Sequence, residues 1–554
     1  MTRDSVRERG ARPFDRGLPL DPATLVVLLI VMGVLLRAFI GGIYVPLSGF
    51  RIDVGDFSAW AQRLAANGPG EFYQADYFSD YPPGYMYVLW LLGSVGEWLR
   101  PVFGLSITPG LVKVPGILAD AGVAWLLFIY ARRFGDRWLG GWGGERIGVI
   151  AAAIYLFNPG TIFNASVWGQ VDSVGALVIL ATLYLLARGW TEAAAVGAVV
   201  ALLVKFQFAF LIPIVAIVGI KRHLLGRSSD PAHDDRGDPL RVLTSLAAGL
   251  GSLVVLILPF GLAVWTPADR THSLIGKFLD AADTYKGLSI NGFNLWRNPW
   301  SGLGDSLQWG CDVAPPTCPD GQGIALLLGT FPVTWQLVGT VLFAVAALVA
   351  LWQIARRDDP DGLLVGALVL AVAFYALPTR VHERYLFPAL ALAAPLVMRG
   401  RGWAVLYAAL TVSFFANVYW VYTADWSWAG PNVMNPGLNG APMPREPFLA
   451  QFVFNDTGIY LLSAGIVVVL AWLLVQSAAM AIRAGDLVLA PMRSAAPPDQ
   501  ATAEPEPVPP PIAVEAPIDA ERPVLRSRLR HWLRRDPADP YLAQPPRRLD
   551  RRDA

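Results

Sequence analysis

The sequence predicts an all-α polytopic membrane protein, and three observations carry that prediction. Of the 554 residues, 54% are hydrophobic and only 16% charged, against about 25% charged in soluble domains. The apolar residues fall into blocks, several of them near the roughly 20-residue length that crosses about 30 Å of hydrocarbon. The arginine-rich short loops between the blocks all fall on one side of a single threading. A formal net charge of +1 hides that segregation. No nucleic-acid partner is expected.

Residues 1–22 form a short N-terminus. The first block, Ala23 to Ile43, is longer than a typical signal h-region and lacks an A-x-A-like site, so it reads as an uncleaved first span. Further spans are expected at Leu111–Ala131, Ile147–Phe163, Val171–Leu186, Ala193–Val204, Phe206–Ile220 and Val242–Trp265. The rest are Val333–Ile354, Gly362–Leu377, Tyr385–Val397, Trp403–Tyr422 and Gly458–Ile482. Tyr85–Leu99 is short and aromatic, and reads as a juxtamembrane helix. With it outside the count, Arg3–Arg16, Arg132–Arg146, Lys221–Arg241, Arg356–Asp361 and Arg399–Arg401 share the cytoplasmic side. About 12 spans result, with both termini cytoplasmic.

The transmembrane domain is thus residues 23–484, with a first outer loop at 51–85 and a large outer loop at 266–331. Cys311 and Cys318 fall in the large outer loop, where a disulfide can persist; a bridge and two separate thiols both stay open. Residues 485–554 form a cytoplasmic tail whose Pro/Ala/Glu-rich stretch buries too little apolar surface to fold alone. Its basic segment Val524–Arg535 reads either as solvated chain or as a helix on anionic lipid.

The outer corners hold the unusual residues. The first outer loop carries Asp53, Asp56, Asp76 and Asp80 among Phe57, Trp60, Tyr73, Tyr77 and Tyr81. From Asp56 to Ala66 its apolar spacing suits an amphipathic helix on the membrane. In "FSDYPPGYMYVLW", Pro82 and Pro83 place a turn directly before an apolar run. In the next corner, "FNPGTIFNASVWGQVDS", Asn158–Pro159 ends or kinks a helix, and Trp168, Gln170 and Asp172 follow, the last with an ordinary reading as an N-cap. "LLVKFQF" places Lys205 and Gln207 in a hairpin, where a lysine can simply snorkel. "PTRVHERYLF" concentrates Arg380, His382, Glu383 and Arg384 on the side that should be poor in positive charge. Such a cluster calls for an anion, and at that depth a phosphate fits; lipid-headgroup anchoring is the plainer alternative.

These corners suit a sugar linked through phosphate to a polyprenyl chain. Arg380, His382, Arg384 and Lys205 would stabilise the phosphate charge as the sugar leaves. A rim aspartate would deprotonate an acceptor hydroxyl. One carboxylate acting as base in a direct displacement inverts the anomeric centre, whereas a retaining enzyme needs a second carboxylate as nucleophile.

Taken in order, "GDFSAWAQRL", "SDYPPGYMY", "NPGTIFNASVWGQVDS", "LLVKFQFAFLIP" and "HERYLFPAL" resemble the motifs of GT-C fold glycosyltransferases. The likeness is greatest to bacterial Gpi18-like mannosyltransferases, and more distant to the dolichyl-phosphate-glucose-dependent glucosyltransferases of N-glycan assembly. It spans roughly Arg51 to Pro395. The resemblance implies Asp56 as catalytic base, with Asp53 its nearest competitor, and Asp80 and Tyr81 shaping the substrate groove. It matches His382, Glu383 and Arg384 to a His-Glu-Lys-like motif in which arginine replaces lysine. Asp53, Gln170, Asp172, Lys205 and Arg380 complete the expected substrate-binding set. The implied partners are a polyprenyl-phosphate sugar donor (mannose before glucose), a lipid-linked or glycan acceptor, and membrane lipids. No cofactor is implied, since arginines can handle a monophosphate, though a divalent metal is compatible. The Ala/Arg/Gly/Pro-heavy usage suggests a bacterial cell membrane with the site extracytoplasmic.

A transporter or flippase of lipid-linked saccharide is the rival reading, resting on Lys113 and Asp120 inside one span. A noncatalytic membrane scaffold is the third.

Overall fold

The computed structural model describes residues 20–493, apart from 46–47, 105, 138–142, 231–236, 267–268, 426–433, 438–439 and most of 298–332. Both cysteines and the tail segment 494–554 lie outside the described residues.

The first half comprises α1 (Pro22–Phe39), α2 (Arg51–Asn67), α3 (Pro83–Phe103), α4 (Thr108–Leu111), α5 (Val114–Phe134) and α6 (Gly144–Leu156). Then come α7 (Pro159–Ile162), α8 (Asp172–Ala187), α9 (Thr191–Val204), α10 (Leu211–Gly219), α11 (Leu240–Ile257) and α12 (Leu274–Thr284). The second half is α13 (Trp335–Arg356), α14 (Pro360–Ala376), α15 (Phe387–Ala393), α16 (Arg401–Tyr422), α17 (Pro447–Phe452) and α18 (Asp456–Arg493). Two short antiparallel hairpins pair Asp312–Val313 with Pro316–Thr317 and Ile324–Leu326 with Gly329–Phe331.

Seven described stretches are long and apolar enough to cross a membrane alone, and an eighth is the pair Gly144–Leu156 and Pro159–Trp168, bent by 52°. Asn158–Pro159 makes that bend, as the sequence indicates: proline removes a helix donor and clashes with the preceding turn. Asp172–Ala187, Thr191–Val204 and Pro360–Ala376 are apolar but shorter. The expected span Tyr385–Val397 is instead broken into a 3₁₀ turn, α15 and a second 3₁₀ turn. Pro388 and Pro395 interrupt it. The stretch is tolerated because it lies within the protein, with α15 wholly buried, where neighbouring helices can satisfy the freed backbone.

α6, α5, α8 and α9 pack in that order, with α1 against α5 and α6. α13, α14, α16 and α18 form a second set that meets the first through α14 and α15 on α8. α14 is buried along almost its whole length, as a helix apolar on all sides should be. α2 begins at Arg51, more than a turn before the expected Asp56, and buries Val54, Phe57, Trp60, Ala61 and Leu64. α3 lies against it because Gly93 has no Cβ where the Ala61 carbonyl approaches. Pro83 occupies the first turn of α3 and Pro82 is its N-cap, where a missing N–H costs no helical bond.

Asp120 in α5 has a partner the sequence did not disclose. Arg37 of α1 donates its Nε to Asp120 Oδ2 at 2.7 Å, and Tyr155 donates its hydroxyl to Oδ1 at 2.7 Å. The remaining Arg37 nitrogens reach Leu156 O at 2.8 Å and Thr161 Oγ1 at 2.9 Å. Lys113 donates to the carbonyls of Val45 at 2.6 Å and Gly41 at 3.1 Å. Removing one partner of a fully buried pair strands the other, at a cost of about 3–5 kcal/mol. Asp120→Ala is therefore expected to lower the unfolding temperature in detergent markedly. The double variant Arg37→Met/Asp120→Leu should lose less than that single change. Thermal unfolding followed by circular dichroism checks both.

Candidate functional site

Three chain segments converge on one carboxylate. Asp53, in the first turn of α2, accepts from Trp168 Nε1 at 2.6 Å and Gln170 Nε2 at 2.5 Å, and pairs with Arg384 Nη1 at 2.9 Å. A π-helical turn over Phe163–Trp168, closed by Gly169 at φ 90°, aims both donors at it. That positive φ favours glycine, which has no Cβ to clash. Arg384 also donates to Glu383 Oε1 at 2.7 Å, and its guanidinium lies 5.2 Å from the Trp168 ring centroid. Asp53 and Gln170, expected to touch substrate, are thus engaged with the protein.

Asp56, one turn further along α2, has no hydrogen-bond or ion-pair partner among the described residues. Burial, then the negative charges of Asp53 and Asp80, push its pKa up from 3.8 to about 7. Asp80 is half-buried. Burial raises it most, its own backbone hydrogen bond opposes this, and it reaches about 6. The D-Y-P-P turn that carries it is fixed by Tyr73, whose hydroxyl donates to Tyr81 O at 2.9 Å.

The cations depart from expectation. Lys205 does not snorkel: it is buried and donates to Asp172 Oδ1 at 2.8 Å, with its ammonium 4.9 Å from the Tyr385 ring centroid. Asp172 is accordingly no N-cap; Val171 holds that position and Asp172 opens α8. The snorkelling and capping readings fail for one reason: each residue neutralises the other, 33 positions apart. His382 is held neutral, because burial and then the charges of Arg384 and Lys205 push its pKa well below the usual histidine range. Burial raises Glu383. Arg380 donates to Asp305 through Nε at 2.6 Å and Nη2 at 2.9 Å, so its charge is neutralised within the protein.

Two cavities meet here. The first, about 320 Å³, is lined by Asp53, Asp56, Asp80, Arg384 and aromatic groups that include Phe57 and Trp60. The second, about 430 Å³, runs between helices and is lined by Phe343, Ala347, Leu351, Leu370 and Phe374. Asp80, Tyr81, Lys205, Tyr285, His382 and Tyr385 line both. The Tyr81 hydroxyl and Arg384 Nε are buried without a hydrogen-bond partner among the described residues. Sequence reasoning missed Tyr285 and Tyr385 as wall residues. Tyr385 adjoins the His382–Arg384 motif and could have been included, whereas nothing around Tyr285 marks it.

Comparison with known proteins adds a partial match. The family described as GPI transamidase subunit PIG-U matches residues 70–269, a stretch that holds Asp80, Tyr81, Gln170, Asp172 and Lys205 but neither Asp56 nor the 380–384 motif. No curated protein matches the chain. Among solved structures, arabinosyltransferase EmbB from Mycobacterium smegmatis aligns at 16% identity with a TM-score of 0.37. The alignment covers 88% of this chain and 42% of that one, so the chain spans less than half of that protein's length.

Asp56 should also show in the pH dependence of stability. Its folded pKa lies above its unfolded one, so the native state keeps a proton that the unfolded chain loses. Its contribution is therefore present below pH 3.8 and is lost as pH rises through about 7. Asp56→Asn removes that ionisation. The variant should melt higher than the wild type at pH 8, with the gain shrinking toward pH 4, in paired melting curves across that range.

Proposed function

We propose that the protein is an inverting GT-C glycosyltransferase that moves a hexose, mannose before glucose, from a polyprenyl-phosphate donor to an acceptor hydroxyl. The transfer takes place at the extracytoplasmic face of a bacterial cell membrane. The observation that carries this reading is the unpartnered carboxylate of Asp56 on a polar cavity that shares a wall with an apolar one. A substrate with a sugar head and a long apolar tail fits that division. The PIG-U match and the ordered motifs support the class.

In this mechanism Asp56 takes the proton from the acceptor hydroxyl. The acceptor oxygen attacks the anomeric carbon from the face opposite the phosphate. The bond between that carbon and the phosphate oxygen breaks, its electron pair stays on oxygen, and polyprenyl phosphate leaves. A base near neutrality suits this step at physiological pH. The growing phosphate charge is met by Lys205, Arg384 Nε and the Tyr81 hydroxyl, with His382 a neutral hydrogen-bonding partner. Arg380 falls outside this set because Asp305 and Ala282 O engage all three of its nitrogens, whereas Lys205 spends one of its three N–H donors on Asp172. Asp53 is the support that orients Arg384.

The matching family is described as a transamidase subunit, which supports a second reading in which this chain is a subunit of a larger enzyme. The transport reading loses its footing, since Asp120 and Lys113 are satisfied by protein groups.

Purified protein in detergent is expected to transfer sugar from polyprenyl-phosphate-mannose, or else polyprenyl-phosphate-glucose, to an acceptor in a membrane lipid extract. Asp56→Asn should be slower by roughly 10²- to 10⁴-fold. Equal transfer by variant and wild type would remove Asp56 as base, and consumption of neither donor would favour the subunit reading. The wild-type kcat/KM should rise with pH through about 7. Asp80→Asn should lower that midpoint, because it removes a charge that holds the proton on Asp56.

A further inference from the structure

Among the described residues, only Asn291 and Arg380 combine a side chain with a positive φ, each at 64°. Both sit where the 282–297 segment crosses the 376–382 corner, and each lines a cavity, Asn291 the first and Arg380 the second. Backbone strain of this kind persists only where the surroundings over-determine it. Here they do. Arg380 N donates to Gly287 O at 3.2 Å, Ile290 N to Val381 O at 3.1 Å and Leu295 N to Ala376 O at 3.2 Å. Trp296 Nε1 donates to Leu377 O at 2.6 Å, and Asn417 Nδ2 to Asn291 O at 2.8 Å.

The fastening centres on Asp305. Its side chain is fully buried and takes both Arg380 contacts together with the Thr379 hydroxyl at 2.7 Å. Asp305 N donates to Lys286 O at 2.9 Å, and Arg380 Nη1 reaches back to Ala282 O at 2.5 Å. The crossing delivers Tyr285 edge-on to His382, with ring centroids 4.7 Å apart, on the wall common to both cavities.

We infer that Asp305 is a positioning residue: by gripping Arg380 and Thr379 it fastens the 282–297 segment across the 376–382 corner and so sets Tyr285, Asn291 and His382 as the walls of the site. The kinetic part of this inference rests on the proposed sugar transfer; the structural part does not. Asp305 touches no substrate in this role. Its effect passes through Arg380 to the 282–297 segment and on to His382.

Asp305→Asn keeps shape and removes the charge. Hydrogen exchange followed by mass spectrometry on the full chain in detergent should show the amides of 287–296 exchanging faster by about tenfold or more, with α14 unchanged. Unchanged exchange in 287–296 would overturn the inference. In the transfer assay kcat should fall by up to about 10²-fold, the scale of a 1 Å misplacement, while donor KM stays within about threefold. The double variant Asp305→Asn/Arg380→Gln leaves no unpaired charge, so it should recover the melting temperature without recovering kcat. Recovery of both would reduce the pair to charge balance and sink the positioning role. If the wild type transfers no sugar, the transfer reading falls while the exchange comparison still decides the inference.

Discussion

The site depends on the pairing of Asp53 with Arg384. A carboxylate removed from bulk water needs a partner or a proton, and Asp53 has an ion pair and two further donors from Trp168 and Gln170. That satisfaction ties α2 to a corner more than 100 residues away and to the 383–384 turn. It also separates the roles of two aspartates one turn apart. Asp53 is consumed by structure, and its charge then helps to hold a proton on Asp56, which has no partner among the described residues. One interaction therefore both assembles the site and tunes its unpaired carboxylate.

The same rule distributes the cations. Lys205 answers Asp172, and Arg380 answers Asp305. Among the described groups lining the polar cavity, only Arg384 Nε and the Tyr81 hydroxyl are left as unpartnered buried donors. The apolar cavity has Asp80, Lys205 and His382 on the wall it shares with the first and adds Gln207, Thr379 and Arg380 of its own. A ligand spanning both would place its polar part at that wall and its apolar part between α13 and α14.

Much of this was legible in the sequence. Runs of apolar residues predict the helices, and Pro82–Pro83 predict the turn that starts α3. The bend at Asn158–Pro159 and the helix within the first loop are equally local features. The boundaries that slipped are those that packing decides: α2 starts at Arg51 because Phe50 stacks on Trp168, with ring centroids 4.3 Å apart. Tyr385–Val397 is interrupted at Pro388 and Pro395, and the break is tolerated because the stretch lies among other helices that can satisfy its backbone.

The sequence by itself determined an all-helical chain of apolar spans, and it drew attention to Asp53, Asp56, Asp80 and the 380–384 motif. Periodicity and proline chemistry act over a few residues, so they can be read along a line. Only the tertiary structure decided which of those charges remain unpaired. Arg37 meets Asp120 across 83 positions, Lys205 meets Asp172 across 33, and Arg380 meets Asp305 across 75. A charge in a low-dielectric interior is governed by what lies within a few ångströms of it, and no spacing along the chain records that distance.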